Sequence, residues 1–302
     1  MDKKSKIFLI AGPTASGKSK FAIRLAKKIK GEIVNADSMQ VYKEIQILTA
    51  RPLTKDKKKI KHHLYGFHSV KRNFSTGEWQ KLAIKKINEI IKRKKIPILV
   101  GGTGLYFKSI TDGLVKIPKI PIKFRIKIRN YQNRLGQKKF YKKLIKVDKL
   151  AANRIDPNDV QRSIRAYEVK SYTKVSLYEW FSKTVKHYKD DQFIKYYINF
   201  PRDLLVKKIS IRVEKMFENG AVNEVEKFLG LKVKKDKSSN KIIGISEISK
   251  YLNKQETLES VKALIAIKTR QYAKRQSTWA RGHMSSWKKI NPLDSISLIK
   301  KI

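Results

Sequence analysis

The sequence predicts an α/β fold, a three-layer core around a parallel sheet, with a helical insertion domain. The first observation is that short apolar runs alternate with helical patterns, which is typical of such sheets. The second is that this alternation stops between residues 116 and 189, where the pattern is helical and very basic. We therefore place the core in residues 1–115 and 190–302, with helices at its C-terminal end, and the insertion in 116–189.

A glycine-rich loop joins the first strand to the first helix. The apolar run Ile7 to Ala11 predicts a buried strand, and Gly12-Pro13-Thr14-Ala15-Ser16-Gly17-Lys18-Ser19 after it fits the P-loop pattern G-x-x-x-x-G-K-[ST]. In such a loop several backbone N–H groups and a helix dipole point at one anion. Lys18 adds a point charge, and Ser19 can place a hydroxyl on Mg²⁺. The motif predicts a diphosphate or triphosphate site in a P-loop NTPase-like core.

The second strand, Glu32 to Ala36, leads directly into Asp37. Because ligands of open α/β sheets bind beyond the carboxyl ends of the strands, we expect Asp37 to lie near the P-loop. It could serve as a general base on a nucleophile, as an indirect partner of Mg²⁺, or as a helix N-cap. Position alone leaves these roles open.

The next stretch contains a histidine pair that invites a metal interpretation. The pattern predicts a loop or short strand over 47–52 and a charged helical segment from Thr54 to Lys61, followed by His62 and His63. Adjacent residues of a strand point to opposite faces, so the pair is a poor chelate. We expect ordinary polar packing there.

The third strand, Ile96 to Val100, ends without an acidic residue. The helix before it starts at a predicted capping box, Ser75 to Glu78. In an ordinary P-loop NTPase an Asp closes such a strand and helps to hold Mg²⁺. Here the strand runs into Gly101-Gly102-Thr103-Gly104, which argues against simple ATP hydrolysis. The glycines indicate that a bulky group approaches the backbone.

The insertion begins with a linker marked by prolines and continues as helices. We predict helices over 124–135, 138–147, 150–155 and 159–172, the last capped by the segment Asp156 to Asp159. Gln161 and Arg165 share one face of that helix, with Arg162 nearby. A Gln with two Arg could grip bases and phosphates, and a solvated basic face is the alternative.

The C-terminal part returns to the core pattern. It predicts a strand over 193–200, a helix over 203–219 that Gly220 ends, another opening at 241–247, and a long helix over 258–281. The tail of that helix, from Thr269 to Arg281, mixes basic and aromatic residues. This mixture suits nucleic acid, and it equally suits a helix that packs by its aromatic face.

Composition and charge indicate the kind of binding partner and the cellular compartment. The formal net charge is +46 at pH 7, which suggests a polyanionic partner, above all nucleic acid. The alternative is a biased genome, because the excess is mostly lysine spread along the whole chain. The sequence contains no cysteine and no stretch of about 18 apolar residues, the length of a membrane span. We expect a cytoplasmic protein with no membrane contact.

The motifs GPTASGKS, NADS-Q-Y, GGTGLY, DPNDVQRSIRAYEV and TRQYAKRQSTW occur in this order. Together they resemble the tRNA dimethylallyltransferase family, also called tRNA isopentenyltransferases, from about Lys6 to Arg281. The resemblance implies transfer of the dimethylallyl group of dimethylallyl diphosphate to the N6 amine of the adenine 3′-adjacent to the anticodon. The tRNAs are those that read codons beginning with U. It also implies a P-loop α/β core with a helical insertion and an anticodon stem-loop as partner. We further expect Mg²⁺ as cofactor and a monomeric protein.

The resemblance also implies roles for single residues. Gly12 to Ser19 correspond to the diphosphate site, with Lys18 in it and Thr14 near the bond to be broken. Asp37 corresponds to the general base, and Arg212 to an arginine that approaches the diphosphate. Positions that correspond to tRNA contacts are Asp37, Ser38, Met39, Gln40, Thr103, Arg125, Gln161, Arg162, Ser163, Ile164 and Arg165. Where the family often reads I-G-Y-[KR]-E, this chain has Ile243 to Glu247 without the aromatic and basic side chains at Ile245 and Ser246.

Three other functions compete with this one. A P-loop small-molecule kinase would use the insertion as a lid, although the Gly-Gly-Thr strand end speaks against it. An adenylate isopentenyltransferase would run the same chemistry on a free nucleotide, and the large basic insertion favours tRNA over that. A non-catalytic RNA-binding protein would not need the intact Lys18, Ser19 and Asp37.

Overall fold

The structure is a computed structural model that describes residues 6–52, 58, 60–292 and 297–299. The chain divides into two compact units, Met1–Ile110 with Tyr188–Ile302, and Thr111–His187. We call these the first and the second unit and describe each by itself. The helical segment predicted from Thr54 to Lys61 falls largely outside the described residues.

A six-stranded parallel sheet forms the centre of the first unit. The strands are β1 Ile7–Ala11, β2 Gly31–Asn35, β3 His62–His63, β4 Ile96–Gly101, β5 Phe193–Ile198 and β6 Lys288–Ile290. Their spatial order is β3-β2-β4-β1-β5-β6, so β1 lies between β4 and β5. The register pairs Phe8 with Ile98 on one side and with Ile194 on the other. The carboxyl ends of these strands therefore meet at one edge.

The helices of the described residues, in chain order, are α1 Lys18–Lys28, α2 Thr76–Lys92, α3 Gly104–Thr111, α4 Ile122–Val147, α5 Val160–Thr173, α6 Leu177–Ser182, α7 Arg202–Glu218, α8 Ala221–Gly230, α9 Ile245–Leu252 and α10 Leu258–His283. The predicted capping box opens α2, because Ser75 Oγ accepts the Glu78 N–H at 3.2 Å and Glu78 Oε2 accepts the Ser75 N–H at 2.8 Å. No helix in the described part of the chain is long and apolar enough to cross a membrane.

Helix layers cover both faces of the sheet. Successive residues of a strand point to opposite faces, and β1 follows this rule. Phe8 and Ile10 pack in a core with Phe21 and Leu25 of α1. On the other face, the cluster of Ile7 and Leu9 includes buried α2 residues, namely Trp79, Ala83, Ile87 and Ile90. The predicted α/β class, with a parallel sheet between helix layers, is confirmed.

A further core joins the segment after β2 to the C-terminal helices. Val41, Tyr42 and Ile45 pack with buried residues of α7 to α10, namely Val213, Ala221, Val225, Phe228, Ile245, Ile248, Val261 and Ile265. The Glu224 carboxylate of α8 accepts three successive backbone N–H groups, from Gln46 at 2.5 Å, Ile47 at 2.7 Å and Leu48 at 3.0 Å. These contacts fix the chain that leaves the carboxyl end of β2.

The second unit is helical, with its own apolar cores. Phe140 and Ile164 pack with Ile128 in one cluster, and Leu144 packs with Val169 in another. Gly136, with φ 70°, breaks α4 near its middle, which agrees with the two helices predicted there. Asp159 caps α5, as predicted, by accepting the Arg162 N–H at 2.9 Å.

Some predicted elements differ from the structure. The helix predicted over 150–155 is wrong, because Lys149–Ala151 forms a short 3₁₀ turn and the chain then continues in turns towards Pro157. Helices α3, α6 and α8 and strand β6 were not predicted. Strand β6, Lys288–Ile290, is brief and mostly lysine, so it carries no apolar run.

Candidate active site

The P-loop connects β1 to α1 at the carboxyl edge of the sheet. Gly17 has φ 85°, in the left-handed region that favours glycine, and α1 begins at the next residue. A Cβ on Gly12 would lie 2.9 Å from Ser16 Oγ and 3.1 Å from Ile198 Cβ, so the loop closes tightly against β5. The two glycines of the motif are thus required for different reasons. Gly17 adopts a left-handed backbone conformation, and Gly12 lies too close to β5 to carry a side chain.

Lys18 lies inside the loop that it follows in sequence. Its Nζ donates to the Pro13 carbonyl oxygen at 3.1 Å. Burial lowers the pKa of Lys18 to about 8, the Asp37 carboxylate opposes this shift, and the Arg212 guanidinium adds to it. The site therefore holds a lysine whose charge is poorly compensated.

Arg212 reaches the same place from α7. Its guanidinium donates to Thr14 Oγ1 at 3.1 Å, whereas its buried Nε has no partner among the described residues. Burial lowers the pKa of Arg212, and the Asp37 carboxylate opposes this shift. Neither Arg212 nor Lys18 forms an ion pair within the part of the chain that the structure describes. Two enclosed cations with no paired carboxylate form a site that an anion would stabilise.

Asp37 lies opposite these cations, at the turn that follows β2. The buried Asn35 shapes this turn, because its Oδ1 accepts the Asp37 N–H at 2.9 Å and its Nδ2 donates to the Asp37 carbonyl oxygen at 2.9 Å. Asp37 Oδ1 accepts the Met39 N–H at 3.0 Å. Its other oxygen, Oδ2, accepts no hydrogen bond from the described residues and is available as a proton acceptor.

The charge of the Asp37 carboxylate acts on three tyrosine side chains, of which Tyr272 lines a cavity together with Asp37. Burial, together with the charge of Asp37, raises the pKa of Tyr65, Tyr106 and Tyr272. These phenols therefore stay protonated at ordinary pH.

Two cavities of opposite character meet at Thr14, Asp37 and Arg212. One, of about 360 Å³, has cationic and hydroxyl walls formed by residues that include Lys18, Ser19, Lys20, Lys208 and Lys215. The other, of about 280 Å³, has largely apolar walls that include Met39, Leu48, Ile209, Val213, Met216 and Ile265. The arrangement suits a ligand with an anionic head and an apolar tail, whose junction lies beside Asp37.

The glycines at the end of β4 and directly after it allow other segments of the same protein to approach the backbone closely. A Cβ on Gly101 would lie 1.9 Å from the Ala36 carbonyl oxygen, and one on Gly104 would lie 2.2 Å from Cε3 of Trp279. Thr103 Oγ1 accepts the Ser38 N–H at 2.9 Å. The glycine-rich strand end is thus shaped by α10 and by the turn that carries Asp37.

The structure brings most of the predicted core residues together. The loop Gly12 to Ser19, Asp37, Ser38, Thr103 and Arg212 surround one region at the carboxyl edge of the sheet. Met39 lines the apolar cavity. Gln40 lines the cationic one, and its Nε2 donates to the carbonyl oxygens of Thr49 at 2.8 Å and Ala50 at 3.2 Å, so its amide already holds the neighbouring loop.

The predicted tRNA contacts of the second unit divide by burial. Gln161 and Arg162 are exposed on α5. Ser163 and Ile164 have buried side chains, and Ser163 Oγ accepts a hydrogen bond from Gln137 at 3.1 Å. Their side chains are therefore not offered to a partner, because that face of α5 packs into the unit.

Two further predicted contacts, Arg125 and Arg165, share one buried carboxylate. Glu168 Oε2 accepts from Arg125 Nε at 3.3 Å and from an Arg165 guanidinium nitrogen at 3.5 Å. Burial lowers the pKa of Arg165, and Glu168 opposes this shift. About two fifths of each arginine side chain stays exposed, 43% and 40%, so both remain accessible to an anionic partner.

The departure from the family pattern at Ile243 to Glu247 has a structural role. Ile245 is buried in the core of the C-terminal helices. Glu247 Oε2 accepts the Gly244 N–H at 2.7 Å, and its other oxygen pairs with Lys268. The glutamate of this motif therefore caps α9 and ties it to α10.

The site offers few protein ligands for a magnesium ion, so a bound substrate would have to supply further oxygen ligands. Ser19 is exposed and lines the cationic cavity together with Asp37. No cluster of three His, Cys, Asp or Glu side chains that could hold a metal occurs among the residues described. Mg²⁺ typically uses few protein ligands and fills its shell with phosphate oxygens and water. His62 and His63 pack locally, with His63 Nε2 2.6 Å from Glu32 Oε2.

Sequence reasoning did not assign Asn35, Tyr272 or Gln276 to the site. Tyr272, Gln276 and Trp279 follow the i, i+4, i+7 spacing of one face of α10 and line a cavity of about 250 Å³ behind the P-loop. The same spacing is present in the motif TRQYAKRQSTW, whose basic and aromatic residues suit either nucleic acid or a helix that packs by its aromatic face. The role of Asn35 carried no comparable signal.

Comparisons with known proteins agree along the whole chain. A family model described as IPP transferase matches residues 40–283. A tRNA dimethylallyltransferase of Pelagibacter ubique (strain HTCC1062) is 60% identical over 302 residues, which cover 100% of this chain and 96% of that protein. One of Rickettsia massiliae (strain Mtu5) is 43% identical, over 93% of this chain and 78% of that protein.

Solved structures show the same similarity. The crystal structure of the full-length tRNA isopentenylpyrophosphate transferase from Bacillus halodurans has a TM-score of 0.69 and 30% identity, covering 98% of this chain and 95% of that one. A eukaryotic dimethylallyltransferase acting on tRNA has a TM-score of 0.78 and 29% identity, covering 91% of this chain and 69% of that one.

Proposed function

The chain belongs to the IPP transferase family, and we propose that it transfers a dimethylallyl group from dimethylallyl diphosphate to the N6 amine of one adenine in tRNA. The adenine is the one 3′-adjacent to the anticodon in tRNAs that read codons beginning with U, and diphosphate is released. The proposal rests mainly on one observation. Two enclosed cations, Lys18 and Arg212, form no ion pair with a carboxylate among the described residues. Arg212 lies with Asp37 where the cationic and the apolar cavity meet, and Lys18 lines the cationic cavity.

The leaving group is stabilised by the P-loop side of the site. Lys18, Arg212 and the loop amides face the place where charge develops on the diphosphate oxygens as the C–O bond breaks. Because these groups are already held in an enclosed cavity, little reorganisation is needed during the reaction. Thr14, whose Oγ1 accepts a hydrogen bond from Arg212, is proposed to lie next to the bond that breaks.

The nucleophile is the exocyclic amine of a base that has left the stack. An adenine in the anticodon loop is unpaired, so moving it into an enclosed pocket costs less than flipping a base out of a duplex. As the N–C bond forms, the amine gives up a proton, which Asp37 Oδ2 accepts. The proton and the diphosphate thus leave the reacting atoms in opposite directions.

Magnesium is a proposed cofactor. Ser19, at the entrance of the cationic cavity, would hold it together with diphosphate oxygens and water. When bound, the ion would neutralise part of the charge of the leaving diphosphate. The remaining steps are those of the protein side chains described above.

The second unit is proposed as the tRNA-binding insertion. Gln161 and Arg162 present exposed side chains on α5, and Arg125 and Arg165 are partly exposed beside Glu168. Arginines of this kind bind phosphates and fix the orientation of an RNA rather than read its sequence. Such an insertion favours tRNA over a free nucleotide as acceptor.

The proposal is tested by mass analysis of tRNA incubated with the protein, Mg²⁺ and dimethylallyl diphosphate. We expect one tRNA nucleoside to gain the mass of a dimethylallyl group, with adenosine next to the anticodon as its site. A parallel incubation with ATP as the only donor serves as control. Phosphate transfer from ATP to a small molecule, with unmodified tRNA, would contradict the proposal and support a kinase.

A further inference from the structure

A single side-chain amide bridges two loops of the site. Gln276, on α10, accepts the Thr14 backbone N–H through Oε1 at 2.8 Å. Its Nε2 donates to the Gly102 carbonyl oxygen at 3.0 Å. One end of the amide therefore holds the P-loop, and the other holds the glycine-rich loop after β4.

The surroundings of Gln276 are built to admit this amide. A Cβ on Gly102 would lie 2.2 Å from Gln276 Nε2, so only glycine leaves room for the contact. One helical turn earlier, Tyr272 lines the same cavity as Gln276, whose side chain lowers the pKa of Tyr272 against the larger raising effect of burial. The amide is thus enclosed and oriented on several sides.

The bridge extends to the turn that carries Asp37. Thr103 follows Gly102 directly, and its Oγ1 accepts the Ser38 N–H at 2.9 Å. A chain of contacts accordingly leads from Thr14 through Gln276 and the Gly102–Thr103 segment to Ser38, the neighbour of Asp37. The Thr14 N–H is also used up by Gln276, so the loop has one donor fewer for the diphosphate than its motif suggests.

We propose that Gln276 is a positioning residue that sets the spacing between the diphosphate loop and the Asp37 turn. The inference rests on the proposed function, because it gives that spacing its purpose: the leaving oxygen and the proton acceptor must lie on opposite sides of the reacting carbon. A neutral amide offers an acceptor to Thr14 and a donor to Gly102 at once. A methionine of similar length offers no donor and only a weak acceptor, and an ionised glutamate carboxylate offers acceptors alone.

The test compares Gln276→Met and Gln276→Glu with Gln271→Met, a change at an exposed glutamine of the same helix. Misplacement of reacting groups by about 1 Å can cost ~10²-fold in rate. We therefore expect Gln276→Met to lower kcat by about 10- to 100-fold while the KM for tRNA stays within about twofold. Gln271→Met should match the unaltered protein.

The pH dependence of Gln276→Glu activity distinguishes a positioning role of Gln276 from a purely structural one. When protonated, the introduced carboxyl group can donate to the Gly102 carbonyl oxygen, and when ionised it cannot. Its activity relative to the unaltered protein should therefore rise as the pH falls. This variant also keeps the test open if Gln276→Met does not fold.

Two results would overturn the inference: a Gln276→Met variant with unchanged kcat, or a Gln276→Glu activity ratio that does not depend on pH. Failure of the proposed function looks different, because the unaltered protein would then modify no tRNA. In that case calorimetry with inorganic diphosphate still decides the matter. Weaker binding to Gln276→Met than to Gln271→Met supports the bridge, and equal binding refutes it.

Discussion

Asp37 is the residue on which the proposed chemistry turns. Its Oδ1 accepts a hydrogen bond from the Met39 N–H, and its Oδ2 accepts none from the described residues. A general base typically contributes ~10²–10⁴-fold to the rate. We expect Asp37→Asn to lower the single-turnover rate by about that factor while tRNA binding persists. Asp236→Asn, an exposed control, should leave the rate unchanged, and an unaltered rate for Asp37→Asn would exclude the role.

Lys18 predicts how donor binding depends on pH. Burial lowers the pKa of its ammonium to about 8, so the free protein loses this positive charge as the pH rises through that value. We expect kcat/KM for dimethylallyl diphosphate to fall above about pH 8. Lys18→Arg keeps its charge at every accessible pH and should lack this decline, even if its activity is lower throughout. The same decline in both proteins would mean that another group titrates.

The lowered pKa of Lys18 also makes the stability of the fold depend on pH. Between about pH 8 and the ordinary value of 10.5, the unfolded chain holds the Lys18 proton and the folded chain does not. The contribution of this group to the free energy of unfolding therefore rises with pH in that window. Below it, the enclosed ammonium is a local cost of folding, which bound diphosphate offsets.

Single residues differed in how far the sequence could reveal them. The P-loop and Asp37 follow from a local motif and from the rule for strand ends, and Arg212 followed from the family resemblance. Gln276 bonds to Thr14 across 262 positions of the chain, and no local pattern encodes such a contact. Similarly, the burial of Ser163 and Ile164 depends on which face of α5 meets the rest of the second unit.

At the scale of elements, the contact between α3 and α10 is unusually close. A Cβ on Gly104 would lie 2.2 Å from the Trp279 ring, whereas one on Gly282, also in α10, would meet nothing within 4 Å. Overpacking of this kind typically costs ~1–3 kcal/mol. We expect Gly104→Ala to lower the free energy of unfolding by about that amount and to reduce activity.

Gly282→Ala is the matched control for that change. Gly282 lies in the last turn of α10, where an alanine meets no neighbour and loses less backbone entropy than glycine, so this variant should be at least as stable as the unaltered protein. Denaturant unfolding of both variants provides the measurement. Equal stability of Gly104→Ala and the unaltered protein would show that α10 does not press against α3.

Elements with strong local signals were predicted correctly. The apolar strands β1, β2, β4 and β5 and the capped helices α2 and α5 have sequence features that a short window contains. Helix α8 follows Gly220, which was interpreted only as a stop, although Gly220 with φ 91° both ends α7 and starts α8. Strand β6 exists because β5 offers it an edge, with Tyr196 paired to Lys288, and not because of its own sequence.

For the whole molecule, the charge of +46 is the property to explain. If it serves tRNA binding, phosphates that bind Lys and Arg release counterions, and affinity falls steeply with salt. We expect a steep log–log decline of tRNA affinity with salt, and a slope about one unit shallower for Arg162→Ala. A flat titration of the unaltered protein would instead support the genomic interpretation.

At the same scale, the architecture explains how a P-loop could hold the proposed prenyl donor. The strand that usually ends in an acidic residue ends in glycines, and these make room for α10 and its Gln276. The cavity beyond the P-loop has many apolar side chains in its wall, beside Asp37, Arg212, Lys241 and Arg275. The same cradle can therefore hold a diphosphate whose apolar tail points at an acceptor base.

The most direct measurement is a crystal structure of the protein with tRNA and an unreactive thio analogue of dimethylallyl diphosphate. The account predicts phosphate oxygens within about 3 Å of Lys18 Nζ and the Arg212 guanidinium, at hydrogen-bond distance. It also predicts the isoprenyl group in the apolar cavity and Asp37 Oδ2 facing the adenine amine. Phosphorus atoms outside the P-loop, or an Asp37 carboxylate that points away from the amine, would contradict it.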